Sequence, residues 1–176
     1  EKLDNTSGII FRVDGIDRQE DAGEPWIYNQ TASGSLFSQF EYSPVDVLSI
    51  EAGAAWNRME PDVISASISS LDPYIGMSIV PLRWLNVHLA ASKATRFPTL
   101  NHFFSTVSGN PDLRPEKAIK LETGCKIDLS PALSFKQDYF WNDVDDLIDR
   151  RSRNDIYENI DKVILKGVET GIDYAW

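Results

Sequence analysis

The chain has 176 residues, 42% apolar and 25% charged, with a formal net charge of −10 and a sequence pI near 4.6. That acidic balance, with no basic stripe carrying interleaved aromatics, excludes a nucleic-acid partner, since neutralising phosphates takes clustered Lys and Arg. No apolar run approaches the ~18–20 residues of a membrane-crossing helix, so any crossing falls to strands, which hide their apolar face in every second residue.

Taken in chain order, residues 7–14 hold a possible first strand and residues 35–42 a second. Residues 47–58 alternate clearly, Leu48, Ile50, Ala52, Ala54 and Trp56 against Ser49, Glu51, Gly53 and Asn57. A weaker pattern covers 74–80. In 84–94, Leu85, Val87, Leu89 and Ala91 oppose Asn86, His88, Ala90 and Ser92. The plainest strand is 118–129, with Ile119, Leu121, Thr123, Cys125, Ile127 and Leu129 on one face and Lys120, Glu122, Gly124, Lys126 and Asp128 on the other. Residues 133–142 and 163–176 complete the set. Connections alternate between short, proline-bearing ones (43–46, 81–83, 130–132) and long ones (57–71, 93–115, 143–161), as they do on the two faces of an outer-membrane barrel. Tyr42, Trp56, Trp84, Tyr139, Trp141, Tyr174 and Trp176 fall near strand ends, where an interfacial girdle places aromatics.

The most distinctive stretch is 91–124, where ASKATRFPTLNHFF is followed after a short gap by GNPDLRPEKAIKLETG. The second string reads as a loop closing onto a strand. Gly109 and Asn110 tolerate positive φ, while Pro111 and Pro115 hold Asn110 and Arg114 extended. Leu113, between two prolines, can bury one apolar side chain under the loop. These strings, through Pro98, Thr99, Gly109, Asn110, Pro111, Leu113, Pro115 and Glu116, resemble the RxPT and GNPxLxPE signatures of TonB-dependent receptors. Three further strings, in the same order as in that family, extend the resemblance: SLFSQFEYSPVDVLSIEAGA (35–54), YFWNDVDDLID (139–149), and Asn159 followed by Lys166, Gly167, Val168 and Glu169. Thr95 and Arg96 lead straight into Phe97 and Pro98, where the family usually places a small residue, so the local loop geometry is expected to differ.

The resemblance implies an all-β, antiparallel up-and-down meander, about 7–8 strands of a larger plugged transmembrane barrel. Residues 1–176 would form one partial barrel domain, with the plug and the remaining strands elsewhere. Glu1 then is not a natural N-terminus, since an exported protein needs a signal peptide, and Trp176 is a truncation point. The implied function is that of an outer-membrane active transporter in a Gram-negative cell, taking up ferric siderophores, cobalamin or a similar scarce nutrient. Its implied partners are outer-membrane lipid, a small-molecule substrate such as a metal chelate, and the TonB system acting through the plug. The runners-up are a soluble β-sandwich binding module of carbohydrate-binding type, and a small complete barrel that is an enzyme or adhesin.

No catalytic constellation, cofactor site or metal-ligand set is evident. His88 and His102 lie on different elements, and His88 reads as a polar lumenal residue. Asp143, Asp145, Asp146 and Asp149 lack calcium-loop spacing because Leu147 and Ile148 interrupt them. Arg150, Arg151 and Arg153 stand among aspartates as a solvated mixed-charge loop, and lone Cys125 cannot form an intrachain disulfide. The substrate-contact candidates are Arg96, His102, Phe103 and Phe104, a cation beside paired aromatics on a long rim loop. Each has a second reading: Arg96 pairs with a neighbouring carboxylate such as Glu116, and Phe103 and Phe104 pack the loop.

Overall fold

A computed structural model describes residues 1–19, 23–62, 67–153 and 155–176. Eight strands and one short helix follow in order: β1 (Lys2–Arg18), β2 (Ile27–Val45), β3 (Leu48–Pro61), β4 (Ile68–Leu82), β5 (Leu85–Arg96), α1 (Leu100–Phe104), β6 (Glu116–Ser130), β7 (Leu133–Asp149) and β8 (Glu158–Tyr174). They make one sheet in the order β1-β2-β3-β4-β5-β6-β7-β8, each strand antiparallel to its sequence neighbours. This is the expected meander. A β-sandwich hides its apolar faces between two sheets, whereas here one apolar face is uncovered: Leu89, Ile119, Leu121 and Val87 are 40–50% exposed. So large and continuous an apolar surface is matched to hydrocarbon rather than to water.

The other face is polar and cross-linked. Gln39 donates to Glu51 (3.2 Å), Tyr74 donates to the same carboxylate (3.0 Å), and Asn57 and Thr95 both donate to Asp72 (2.8 and 2.7 Å). Because side chains alternate across the pleat, the register joining these partners also fixes every apolar residue on the opposite face.

At one end, strands turn within two residues, at 46–47, 83–84 and 131–132. Beside each turn the register shifts, between Tyr42 and Val45, between Ile79 and Leu82, and between Asp128 and Ser130. Pro44 and Pro81 sit in two of these irregularities, where a residue without an N–H is tolerated.

At the other end the strands run further than their alternation indicates. The weak pattern at 7–14 is part of a 17-residue β1, and the connections expected over 57–71 and 143–161 shorten because β3 continues to Pro61, β4 starts at Ile68, β7 continues to Asp149 and β8 starts at Glu158. Residues 63–66 of the first connection lie outside the described residues. The cause is visible in the girdles. Tyr42, Trp84 and Tyr174 lie at the turn end, and Trp56 and Trp141 about eight residues higher, roughly 20 Å along the normal at ~40° tilt. Above that level both faces meet water, so period-two patterning is no longer required although the ladder continues.

The hydrophobic core is small and sits at this upper end: Met59, Phe103, Phe104, Leu113 and Ile148, with Ile16, Phe97, Leu100 and Tyr157 packed against them. It forms where α1 folds back from the β5–β6 connection to touch β1 and β2.

Nitroxide labels at Ile50, Val87, Leu89, Ile119, Leu121 and Ile127 in the membrane-embedded protein should be accessible to lipid-soluble oxygen, and labels at Glu51, His88, Lys120, Glu122 and Lys126 to a polar relaxant. Leu89→Arg, on the outward face about five residues beyond Trp84 and so between the two girdles, should cost about 2–4 kcal/mol, read by urea unfolding in lipid. A single residue with its accessibility inverted would disprove this register.

Candidate functional site

The upper rim is organised around Glu116, the first residue of β6, which is only 7% exposed. Arg96, its cross-strand neighbour at the end of β5, donates to both carboxylate oxygens through Nε (2.6 Å) and a terminal nitrogen. The same carboxylate accepts the backbone N–H of Ile148 on β7 at 2.8 Å. One buried anion thus fastens three consecutive strands just where the β6–β7 ladder ends, at Lys117 and Asp145.

The local backbone makes this possible. Asp146 takes φ of +58°, the only positive φ of a non-glycine among the described residues. Asp and Asn are the side-chain-bearing residues that adopt that region most readily. Beyond the last β6–β7 ladder pair, Lys117 with Asp145, the Ile148 N–H meets the Glu116 side chain instead of a β6 backbone carbonyl. Asp146 is itself held by Arg114, whose Nε and terminal nitrogen reach Oδ1 at 3.1 and 2.5 Å. Asn159 closes the circuit: its amide donates to the carbonyls of Arg114 (2.9 Å) and Asp146 (2.7 Å), and its oxygen accepts the Arg114 N–H (2.9 Å).

The loop before β6 is equally well tied. Asn110 donates to the Tyr157 carbonyl at 2.8 Å and accepts the N–H of Asp112 at 2.9 Å, and the Tyr157 N–H donates to Ser108. Leu113 is buried, as its place between two prolines indicates. Gly109 departs from expectation, since neither it nor Asn110 has positive φ. Glycine is needed there for close approach: a Cβ would lie 2.5 Å from the Ser105 carbonyl and 2.7 Å from that of Phe103.

Pro98 is fully buried, and Thr99 starts α1 with a capping box. Its hydroxyl accepts the His102 N–H at 3.4 Å, and its own N–H donates to His102 Nδ1 at 3.3 Å. The His102 ring also lies against Tyr157, centroids 4.6 Å apart, and Arg150 stacks over that tyrosine at 5.2 Å. Phe103 and Phe104 are 4% and 5% exposed, and Arg18 on β1 donates to the Phe104 carbonyl.

The four substrate-contact candidates are therefore adjacent but differently presented. The Arg96 side chain is 58% exposed although paired, His102 is half-buried, and the two phenylalanines face the core. Beside them a concavity of about 500 Å³ opens between the loop and the inner face of β1 and β2, bordered by Arg12, Ser33, Phe97, Thr99 and Asn101. The acidic residues of β7 are dispersed among cations, Asp143 with Lys162 at 2.8 Å and Asp146 with Arg114. Lower on the polar face, His88, Glu122 and Asp138 converge from β5, β6 and β7. Neighbours on three different strands share no sequence spacing, so no motif could have joined them.

A sheet with one lipid-matched face, tight turns at one end and a clamped loop at the other defines a segment of a transmembrane β-barrel. The sequence matches the family described as TonB dependent receptor-like, beta-barrel, over residues 4–176, and the chain belongs to that family, one of outer-membrane receptors. Similar solved structures are a copper transporter, OprC (TM-score 0.82, 13% identity, covering 100% of this chain and 32% of that one), and the FrpB iron transporter from Neisseria meningitidis (0.79, 17%, 100% and 32%). The ferric enterobactin receptor PfeA of Pseudomonas aeruginosa is another (0.78, 16%, 96% and 30%). The chain spans about a third of the length of each.

Two predictions follow from the rim. Glu116→Ala leaves the buried Ile148 N–H without its acceptor, which costs about 1–3 kcal/mol. In the full-length receptor this should appear as faster exchange of the Ile148 amide and cleavage of the 97–115 loop by added protease, with the lower barrel unchanged. The second concerns pH. Burial, assisted by the Arg96 guanidinium and opposed by Glu116, lowers the His102 pKa from its ordinary value of about 6.5. Unfolded loop then binds a proton more readily than folded loop, so the contribution of neutral His102 is complete above about pH 6.5 and is lost as pH falls toward the lowered folded value. Protection of the Phe103 amide should fall across that window. His102→Gln, which keeps the capping box but cannot titrate, should remove the dependence.

Proposed function

We propose that this chain is wall and rim of an outer-membrane active transporter for a small metal-bearing substrate, energised through TonB acting on a plug domain. The observation that carries the reading is the loop 97–115, fastened through Glu116 and Asn159 and folded over the polar face of the sheet. A transporter needs a loop rigid enough to present contacts at the mouth and a polar inner wall along which cargo and plug can move. The copper, iron and ferric enterobactin transporters of the same fold support a metal or metal chelate as the substrate class.

Within this reading, Arg96 and His102 meet the substrate from the rim. Arg96 keeps an exposed guanidinium edge while anchored to Glu116, an arrangement that suits an anionic chelate. Phe103 and Phe104 serve from beneath by holding α1 against β1 and β2.

The test is uptake of a panel of labelled ferric siderophores by cells expressing the full-length receptor with and without TonB, together with affinity and surface abundance of Arg96→Ala and His102→Ala. TonB-dependent uptake and at least tenfold weaker binding at normal abundance are expected. Uptake indifferent to TonB would overturn the transport reading. Unchanged affinity at normal abundance would remove Arg96 and His102 from substrate contact, and lower abundance alone would make their role structural.

A further inference from the structure

Three chemically complementary groups on the polar wall have no role in the rim. His88 on β5, Gly124 on β6 and Asp138 on β7 form one register row, His88 opposite Gly124 and Gly124 opposite Asp138. Glu122 lies one pleat higher on the same face of β6. His88 Nε2 is 3.2 Å from Asp138 Oδ1 and 3.7 Å from Glu122 Oε1, and one donor atom from each residue lies within 4.8 Å of the others.

The row exists because position 124 has no side chain. A Cβ there would stand 2.1 Å from Asp138 Oδ1 and 2.7 Å from His88 Cε1. The two side chains lean over the glycine from either side and meet across a strand that would otherwise separate them.

Asp138 shows that the cluster is more than polar surface. It is 7% exposed, and Lys136 Nζ satisfies only its Oδ2, at 2.9 Å. Oδ1 is buried and accepts no hydrogen bond, although it points at His88. A buried carboxylate oxygen without a donor is costly, and a cation shared with His88 and Glu122 would satisfy it. The spacing suits an ion: metal–ligand bonds of ~2.0–2.2 Å at tetrahedral angles put neighbouring donors about 3.4 Å apart, the two separations from His88 are 3.2 and 3.7 Å, and the third, between the carboxylates, is within 4.8 Å. Open space for water ligands adjoins the cluster, in a concavity of about 310 Å³ bordered by His88, Glu122, Glu51 and Tyr74.

We propose that His88, Glu122 and Asp138 form a binding site for a divalent first-row transition-metal ion on the inner wall of the barrel. One imidazole nitrogen and two carboxylates favour such ions over calcium or magnesium, which take oxygen ligands alone. Lys136 competes by holding part of the Asp138 charge, so the site is tuned toward reversible occupancy. The proposal concerns the ion alone and stands whether or not the transport reading does.

The test uses the purified full-length receptor in detergent, titrated with Co(II) as a spectroscopic probe and with Zn(II) in competition. Wild type should bind one Co(II) with visible ligand-field bands that Zn(II) displaces. His88→Gln and Asp138→Asn should each weaken binding at least 30-fold, and Glu122→Gln several-fold. Gly124→Ala should abolish binding with every donor atom still present. Lys136→Met should tighten it about tenfold. Heat-modifiable migration on gels establishes that each variant remains a folded barrel. Absence of the bands in wild type, or bands unaltered in folded His88→Gln or Asp138→Asn protein, would overturn the proposal.

Discussion

A chain crossing hydrocarbon must pair every backbone N–H and carbonyl internally, and strands do this only sideways, with the next strand of a sheet. The rest of this molecule depends on that requirement. Because pairing is sideways, consecutive strands lie antiparallel and turn tightly, as at 46–47, 83–84 and 131–132. Because the pleat alternates, one set of residues is committed to lipid and the other is free to be polar. There is then no room for a conventional core, and among the described residues the compact apolar cluster lies above the membrane, where Phe103, Phe104 and Leu113 come down from a loop onto Met59 and Ile148.

The upper rim answers a different problem. Once strands rise clear of the bilayer, water competes for their ladders and lipid no longer enforces the face. The structure substitutes specific polar ties. Glu116 joins β5, β6 and β7, and Asn159 joins β8 to Arg114 and Asp146. Neighbouring hydrogen bonds in such a network reinforce one another when every member is satisfied, and Glu116 combines a bidentate arginine with a backbone donor.

The two levels explain what could be read from sequence. The meander, the two faces and the short turns were legible because lipid imposes period two on 47–58, 84–94 and 118–129 and the turns carry proline. Strand ends were not: NDVDDLID (142–149) has little apolar alternation, yet belongs to β7, its ladder sustained by pairing with β8 rather than by its own pattern. The rim strings were recognisable as separate marks, at Pro98, at Gly109 to Glu116, at Asp146 and at Asn159. That they are partners in one network was not, because Arg114 meets Asp146 across 32 residues and Asn159 across 45. Glu116 was recognisable only as one possible partner for Arg96, with no sign that it also reaches Ile148. The sequence shows at Gly109 only a residue that tolerates positive φ, whereas its constraint is the approach of two carbonyls, a contact visible only after the loop has folded.

The contrast between the rim and the lower wall is itself informative. At the rim, Glu116 is saturated by Arg96 and Ile148, which is how a buried charge behaves when its purpose is to hold strands together. On the wall, Asp138 has comparable burial but only one of its oxygens matched, and glycine at position 124 keeps the other within reach of an imidazole from two strands away. A purely structural carboxylate gains from a second donor, and the neighbouring position on β6 could have carried a side chain that supplied one. Leaving that position empty brings His88 and Asp138 together, so the geometry favours a ligand-accepting site over a cross-strand brace.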